Sequence, residues 1–431
     1  MSGRSQDIAD ATAATIADED VERARRLVGV ETAINRRDYL SAATPDAIRN
    51  FALSYGDDNP LYIDERYGSR TRWGSQIAPP TMLFALQGRM RGDPVPDDVA
   101  RAARGLFRGI HSFVAGSRWE WYRPVRPGDR IFAYGGVEAV DDRPSAFAGR
   151  SVTQTKRVVK LDHRGQVVAI GRTRVVHTAR GEARARGKYS AVEPAAYDDD
   201  DLAAIDEIYR NERRRGSDTR FAEDVEVGSV LPPMVKGPLT VTDVVVFHAG
   251  GFGFQPFGLA TGRIAYRNRM RIPRFYVKND QGVPDVSQRV HWDGEWARAT
   301  GNPHAYDYGA MRECWLQHYL TDWMGDEGWL VSLDDEIRRF NHLGDVQHLS
   351  GTVTALQCAP DGCWADLSLA CTNQRGEETV CARARVALPS RKFGPAVVPP
   401  VPAAVAARAA EMLARNAELV AETDETDDAL P

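Results

Sequence analysis

The sequence predicts an α+β protein of two similar halves, each an antiparallel sheet curled round one central apolar helix. Two observations carry this prediction. A long apolar helical run followed by several strand-like segments occurs twice, once before residue 180 and once after residue 225. Motifs also recur in order: Arg123, Gly128, Asp129, Gly135 and Val137 map onto Arg339, Gly344, Asp345, Gly351 and Val353 with one constant shift. Arg164-Gly165 and Arg172-x-Arg174-Val175 map onto Arg375-Gly376 and Arg383-x-Arg385-Val386 at a slightly smaller one. That many ordered matches indicate an internal duplication.

Taken in order, residues 1–40 are charged and Ala-rich, with one helical stretch from Glu19 to Val28, and read as an N-terminal extension. The first half spans 41–180. Thr44-Pro45-Asp46 is an N-cap followed by Pro at the first helical position, and Ile48, Phe51 and Ala52 form the stripe of a short helix. A Gly-Asp-Asp-Asn-Pro turn from Gly56 to Pro60 ends it. Ala78 to Met90 has helical spacing and almost no charge, and is expected to be the first central helix. Strands are expected at Ile110–Tyr122, Arg130–Val140, Ala146–Leu161 and Val167–Thr178, punctuated by turns such as Arg126-Pro127-Gly128-Asp129.

Residues 181–224 read as a linker with one exposed helix near Glu207–Arg215. The second half, 225–392, repeats the order: a short helix opening at Thr240, a central helix from Ala310 to Trp323, then strands at Leu330–Phe340, His348–Gln357, Trp364–Asn373 and Thr379–Leu388. Trp315, Tyr319, Trp323 and Trp329 are spaced as its core. Residues 258–288 read as an insertion, and 393–431 as a tail with a helix over Ala403–Ala421.

With 43% hydrophobic residues, 27% charged and a net charge of −5, the chain has an ordinary globular composition and no basic field for nucleic acid or an anionic membrane. No run approaches the roughly 18 apolar residues of a membrane span, and the start is polar and acidic, so a cytoplasmic protein is expected. The five cysteines lie in the C-terminal third with no CxxC and no His at metal-ligand spacing; no metal site is expected, and Cys358, Cys371 and Cys381 are expected as buried thiols in strands.

The string Gly56-Asp57-x-Asn59-Pro60-Leu61-x-x-Asp64, the helix entry Ile77-Ala78-Pro79-Pro80 and the strand lead Arg123-Pro124-Val125-Arg126-Pro127-Gly128-Asp129 resemble the MaoC-like acyl dehydratase and (R)-specific enoyl-thioester hydratase family. The second half resembles it through His291-x-Asp293, Gly309 and Gly344-Asp345. The resemblance implies a double hot-dog fold with an acyl-CoA or carrier-protein thioester bound between halves, and reversible addition of water across the C2–C3 double bond. It implies no cofactor. A homodimer or a hot-dog partner subunit fits it, and a non-catalytic thioester-binding subunit or a thioesterase on the same fold are the alternative functions.

In the family an Asp and a His of the turn hold one water and exchange its protons, because imidazole titrates near neutrality and a carboxylate orients the water. The first half keeps Asp57 and Asn59 but has Tyr62 at the histidine position; with a reference pKa of about 10, tyrosine is a poor shuttle at neutral pH, so these three are expected to shape the groove. The second half keeps His291, while Val286 stands where the acid belongs and Ala249 to Pro256 looks like the acid-bearing turn with its Asp replaced. Three readings of His291 stay open: a partner returned by the insertion, Asp285 or Asp280; a partner near the helix start, Tyr306, Asp307 or Tyr308; or ligand binding without hydration. The expected catalytic set is His291, Asp285 and Tyr308, and the expected substrate contacts are Asp57, Asn59, Tyr62, Gly309 and Arg289. The insertion's Arg263, Arg267, Arg269 and Arg271 suit either a solvated arm or the phosphates of coenzyme A. His318 and His304 are left open between core and site.

Overall fold

The computed structural model describes residues 15–108, 110–145, 149–178, 192–251 and 262–422. The alternating runs become the strands β1 (Thr32–Ala33), β2 (His111–Trp121), β3 (Ile131–Ser145), β4 (Gly149–Asp162), β5 (Val167–Thr178) and β6 (Met234–Lys236). The insertion adds a hairpin of β7 (Tyr276–Lys278) and β8 (Pro284–Val286). The second meander is β9 (Trp329–Ile337), β10 (Gln347–Ala359), β11 (Gly362–Asn373) and β12 (Glu378–Leu388).

All but the small hairpin join one antiparallel sheet in the order β1-β3-β4-β5-β2-β9-β12-β11-β10-β6. Read outward from its middle, this order is the same on both sides, as a duplicated unit related by a pseudo-two-fold requires. The irregularities repeat as well. A bulge interrupts β3 at Val137/Ala139, and another interrupts β10 at Val353/Ala355, which the repeat places opposite each other; a bulge re-aims a strand, so its recurrence marks the same curl in both halves. The halves meet where β2 pairs with β9, through Arg118 with Asp334, Trp119 with Leu333 and Glu120 with Ser332.

Six helices matter for the site: α1 (Asp18–Arg25), α2 (Pro45–Leu53), α3 (Asp199–Asn211), α4 (Val241–Ala249), α5 (Gly309–Met324) and α6 (Ala403–Ala421). α2 starts at Thr44, whose hydroxyl accepts from the Ala47 amide, and buries Ile48, Phe51 and Ala52. Asp198 and Asp201 form a capping box that starts α3. From there Ile205 packs on Val235 and Val346, which ties the linker helix to the second half. α6 lays Ala409 and Met412 on Tyr134, Val159 and Leu161 of the first half.

α5 is the central helix of the second half, buried on every face from Met311 to Met324. The first half has no counterpart. Instead of a helix from Ala78 to Met90 there is one 3-10 turn, Pro80–Phe84, after which the chain runs extended. Its amides are taken by strand-like partners: Gln87 donates to the Leu40 carbonyl, Gly88 to Ile131 and Met90 to Ile34. The apolar spacing was that of a fully buried segment, which helix and extended chain share, and the end of the N-terminal extension competes successfully for the backbone groups.

A second correction concerns the thiols. Cys358 and Cys363 face each other across the β10–β11 hairpin and form a disulfide, while Cys314 and Cys371 are buried and free. Among the described residues no helix is long and apolar enough to cross a membrane.

Candidate active site

Three segments of the second half converge in front of α5. Thr240 caps α4, exchanging hydrogen bonds with Asp243, and this helix carries Phe247 and His248 inward. A 3-10 turn, Ser287–His291, follows β8 and presents Gln288 and His291. The loop ending at Tyr308 delivers the third segment. The His248 Nε2 lies 2.7 Å from the Tyr308 hydroxyl, and the Gln288 side-chain amide donates to that hydroxyl at 2.8 Å. Tyr308 can accept from Gln288 and donate to His248 Nε2 at once, the arrangement in which the His248 proton sits on Nδ1. The His291 ring lies 3.7 Å from the Tyr308 ring, centroid to centroid, and its Nδ1 is 2.9 Å from the Tyr306 carbonyl oxygen. A carbonyl accepts only, so Nδ1 is the protonated nitrogen and Nε2 keeps its lone pair. Burial pushes both His291 and His248 down to about 4, although the Tyr306 carbonyl partly opposes this for His291. Both rings are neutral at ordinary pH.

Tyr308 is also the residue before α5, and that helix starts without a side-chain cap. The Met311 N–H is held by the Tyr308 carbonyl, while those of Gly309 and Ala310, which follow Tyr308 directly, are suited to a carbonyl oxygen that gains negative charge. Gly309 fits the tight entry: a Cβ there would meet Ile337 Cδ1 at 2.7 Å.

In the first half, Asp57 is fully enclosed and accepts from the Asn59 amide at 3.0 Å and the Tyr55 hydroxyl at 3.2 Å. It faces α5 of the other half, where Gln317 Nε2 is 3.5 Å and His318 Nε2 is 3.8 Å away. Burial raises Asp57 above the usual carboxylate range, with His318 opposing. Beside this cluster lies a mostly apolar cleft, partly open to solvent, walled by Trp73, Trp121 and Trp329, with Asn59, Tyr62, Thr321, Arg123 and Asp326 among its polar lining. Each indole is anchored: Trp73 Nε1 donates to Asp326, Trp121 to Pro80 and Trp329 to Trp121 backbone oxygens. The cleft lies towards the far end of α5 from Gly309, roughly 20 Å along a helix rising 1.5 Å per residue.

Residues 27–171 match a family model described as the FAS1-like dehydratase domain region. A UPF0336 protein of Streptomyces griseus is 30% identical over 138 residues, covering 32% of this chain and 85% of its own. The chain belongs to the MaoC-like hot-dog dehydratases. A Thermomonospora curvata protein described as a probable enoyl-CoA hydratase alpha subunit is 31% identical over 140 residues, covering 30% of this chain and 43% of that one. A solved MaoC-like dehydratase shares the double hot-dog fold at a TM-score of 0.55 and 16% identity, over 84% of this chain and 98% of its own.

Against this MaoC-like frame the two turns fall into register. Asp64 caps the short helix Glu65–Gly68 and Asp293 caps Gly294–Ala299, each through its own side chain. Counting back from these caps sets Tyr62 against His291 and Asn59 against Gln288. The structure brings His291 and Tyr308 together and leaves Asp285 apart. Asp285 lies on β8 with its carboxylate on the adjacent Val286 amide, and no hydrogen bond or ion pair joins it to His291 among the described residues. Asp280 is exposed at the tip of the same hairpin. Arg289 is no surface contact for substrate: it is 1% exposed, packs over the Trp296 ring, and donates to the Val277, Lys278, Asp285 and Val286 carbonyls and to Asp293. That clamp holds the insertion hairpin against the His291 turn. The insertion's Arg263, Arg267 and Arg271 are exposed on a helix over Gly262–Arg271, and residues 252–261, including most of the altered turn, lie outside the described residues. His304 is tied to the Val192 carbonyl. His248 was missed, since a single histidine in an apolar helix reads as core. Gln288 was missed as well; its three-residue spacing to His291, the same as Asn59 to Tyr62, is the signal that could have found it.

Proposed function

We propose that this protein adds water reversibly across the C2–C3 double bond of an enoyl thioester, with His291 as general acid and base. The observation that carries the reading is the Nδ1 hydrogen bond to the Tyr306 carbonyl, which leaves a basic Nε2 beside the uncapped start of α5. In the hydration direction Nε2 takes a proton from water while the hydroxyl oxygen bonds to C3. The π electrons move onto the thioester oxygen, where the N–H groups of the first turn of α5 stabilise the negative charge. The imidazolium then returns a proton to C2, and the enolate collapses to the hydroxyacyl thioester. Among the described residues no carboxylate is hydrogen-bonded or ion-paired to His291, so the Gln288–Tyr308–His248 chain is the candidate for orienting the water.

The first half lacks two of these parts. Tyr62 replaces the histidine, and Pro79-Pro80 stand at the cap and first position of its helical turn, where neither can offer an N–H. Only the second half therefore combines a base with amide donors. Exposed arginines of the insertion are suited to coenzyme A phosphates. The test is turnover of a panel of enoyl-CoA thioesters by wild type, His291→Ala and His291→Gln. Loss in both variants with folding preserved is expected; full activity in either refutes the assignment. Neither half holds the family's acid and histidine together, which favours one second reading, a thioester-binding subunit that is active only with a partner. Hydration by the purified chain alone excludes it.

A further inference from the structure

We propose that Glu212, His318 and Asp322 form a binding site for a divalent transition-metal ion, with zinc as the best match. Glu212 follows α3 in the linker, and His318 and Asp322 lie one turn apart on α5. Their nearest donor atoms, one from each residue, all lie within 4.8 Å of one another. His318 Nε2 is 3.4 Å from Asp322 and 3.8 Å from Glu212, with Asp57 also 3.8 Å away.

Those separations decide between a hydrogen-bonded cluster and an ion site. A nitrogen–oxygen hydrogen bond closes to about 2.7–3.2 Å. Two ligands about 2.1 Å from one tetrahedral zinc stand roughly 3.4 Å apart. The His318–Asp322 pair has the second spacing, and the His318–Glu212 pair at 3.8 Å is wider still, beyond hydrogen-bond reach, so that Glu212 closes in by a few tenths of an ångström on an ion. His318 is 1% exposed, yet its Nε2 has no hydrogen-bond partner, and neither does one oxygen each of Asp322 and Glu212. Such an unpartnered nitrogen aimed between carboxylates costs free energy unless something sits there. Nor does a side-chain cation fill the role: among the described residues no Lys or Arg nitrogen reaches within 4.0 Å of the Glu212, Asp322 or Asp57 carboxylates. Lys236 faces the other ring nitrogen, 3.0 Å from Nδ1; with a metal on Nε2 the ring proton lies on Nδ1 and the Lys236 amine, in its neutral form, accepts it.

One nitrogen and two carboxylates suit zinc among the first-row metals, and three protein ligands leave a fourth position for water. Access is from the Glu212 side, the one ligand with appreciable exposure at 21%. The ion would join the linker to the central helix, away from the N-terminal end of α5 that faces His291.

The test uses the full chain, stripped by a chelator and dialysed. Zinc chloride is titrated with bound metal counted by elemental analysis, and thermal unfolding is followed with and without one equivalent. One zinc per chain and a rise in Tm are expected. Glu212→Gln, at a partly exposed position where folding is not at risk, and Asp322→Asn should each weaken binding by at least the roughly tenfold that even outer-shell losses cost. Failure to retain zinc, or equal retention by Glu212→Gln, overturns the proposal.

Discussion

The pH dependence of hydration separates the proposed base from an ordinary histidine. Burial behind Tyr308 holds His291 down to about 4. At pH 5.5 a histidine near its reference value of 6.5 is only about 9% neutral, whereas one at about 4 is about 97% neutral. Between pH 7.5 and 5.5, kcat/KM for an enoyl-CoA should therefore stay level, where an unshifted base would lose about tenfold. The same shift acts on stability. Its sign follows from proton uptake: the unfolded chain binds more protons than the folded one between about 6.5 and 4, so this contribution is complete above 6.5 and is lost as pH falls through that window. Circular dichroism at each pH keeps activity loss and unfolding apart. An acid limb centred near 6.5 in a chain still folded at pH 5.5 would refute the assignment of His291 as a buried neutral base.

Other outcomes follow from the packing. Tyr308→Phe removes the hydroxyl shared by His248 and Gln288; stability measured in urea should fall by about 1–3 kcal/mol, with kcat reduced more than KM rises. Arg312→Met strands Asp307, which is fully enclosed and 2.9 Å from the guanidinium, and should cost about 3–5 kcal/mol in the same urea measurement. Asp57→Asn should keep hydration within about tenfold, because its half has no histidine at position 62 and no N–H at Pro79 or Pro80; a larger loss in a folded variant would move the chemistry to the first half. Without reductant, a thiol reagent in denaturant should titrate three of the five cysteines.

Much of the architecture was legible because duplication supplies its own control. The β5 and α6 bounds coincide with the expected Val167–Thr178 and Ala403–Ala421, where alternation or a clean helical stripe leaves one reading. Ala78–Met90 defeated the same method, because burial on all sides removes the polar face that gives a period its meaning. The site divides similarly. His291, Gly309 and Tyr308 were visible from spacing to a helix start. Asp285 was chosen for proximity in sequence, but a hairpin turns its side chain away. Glu212 and His318 meet across more than a hundred residues; only the His318-x-x-x-Asp322 spacing, one helical turn, hinted at a shared face.

The three register pairs between β2 and β9 carry an evolutionary consequence. Two sheets that meet edge to edge in one polypeptide are always present in equal numbers and at high effective concentration. Neither repeat then has to survive alone, and selection no longer acts on it as a complete unit. Such a fused pair tolerates a first half with a 3-10 turn in place of a central helix and a tyrosine at position 62, beside a second half that keeps the long helix and His291. The two halves are dependent parts of one sheet, and chains separated at the linker should rebuild the molecule only when both are supplied together.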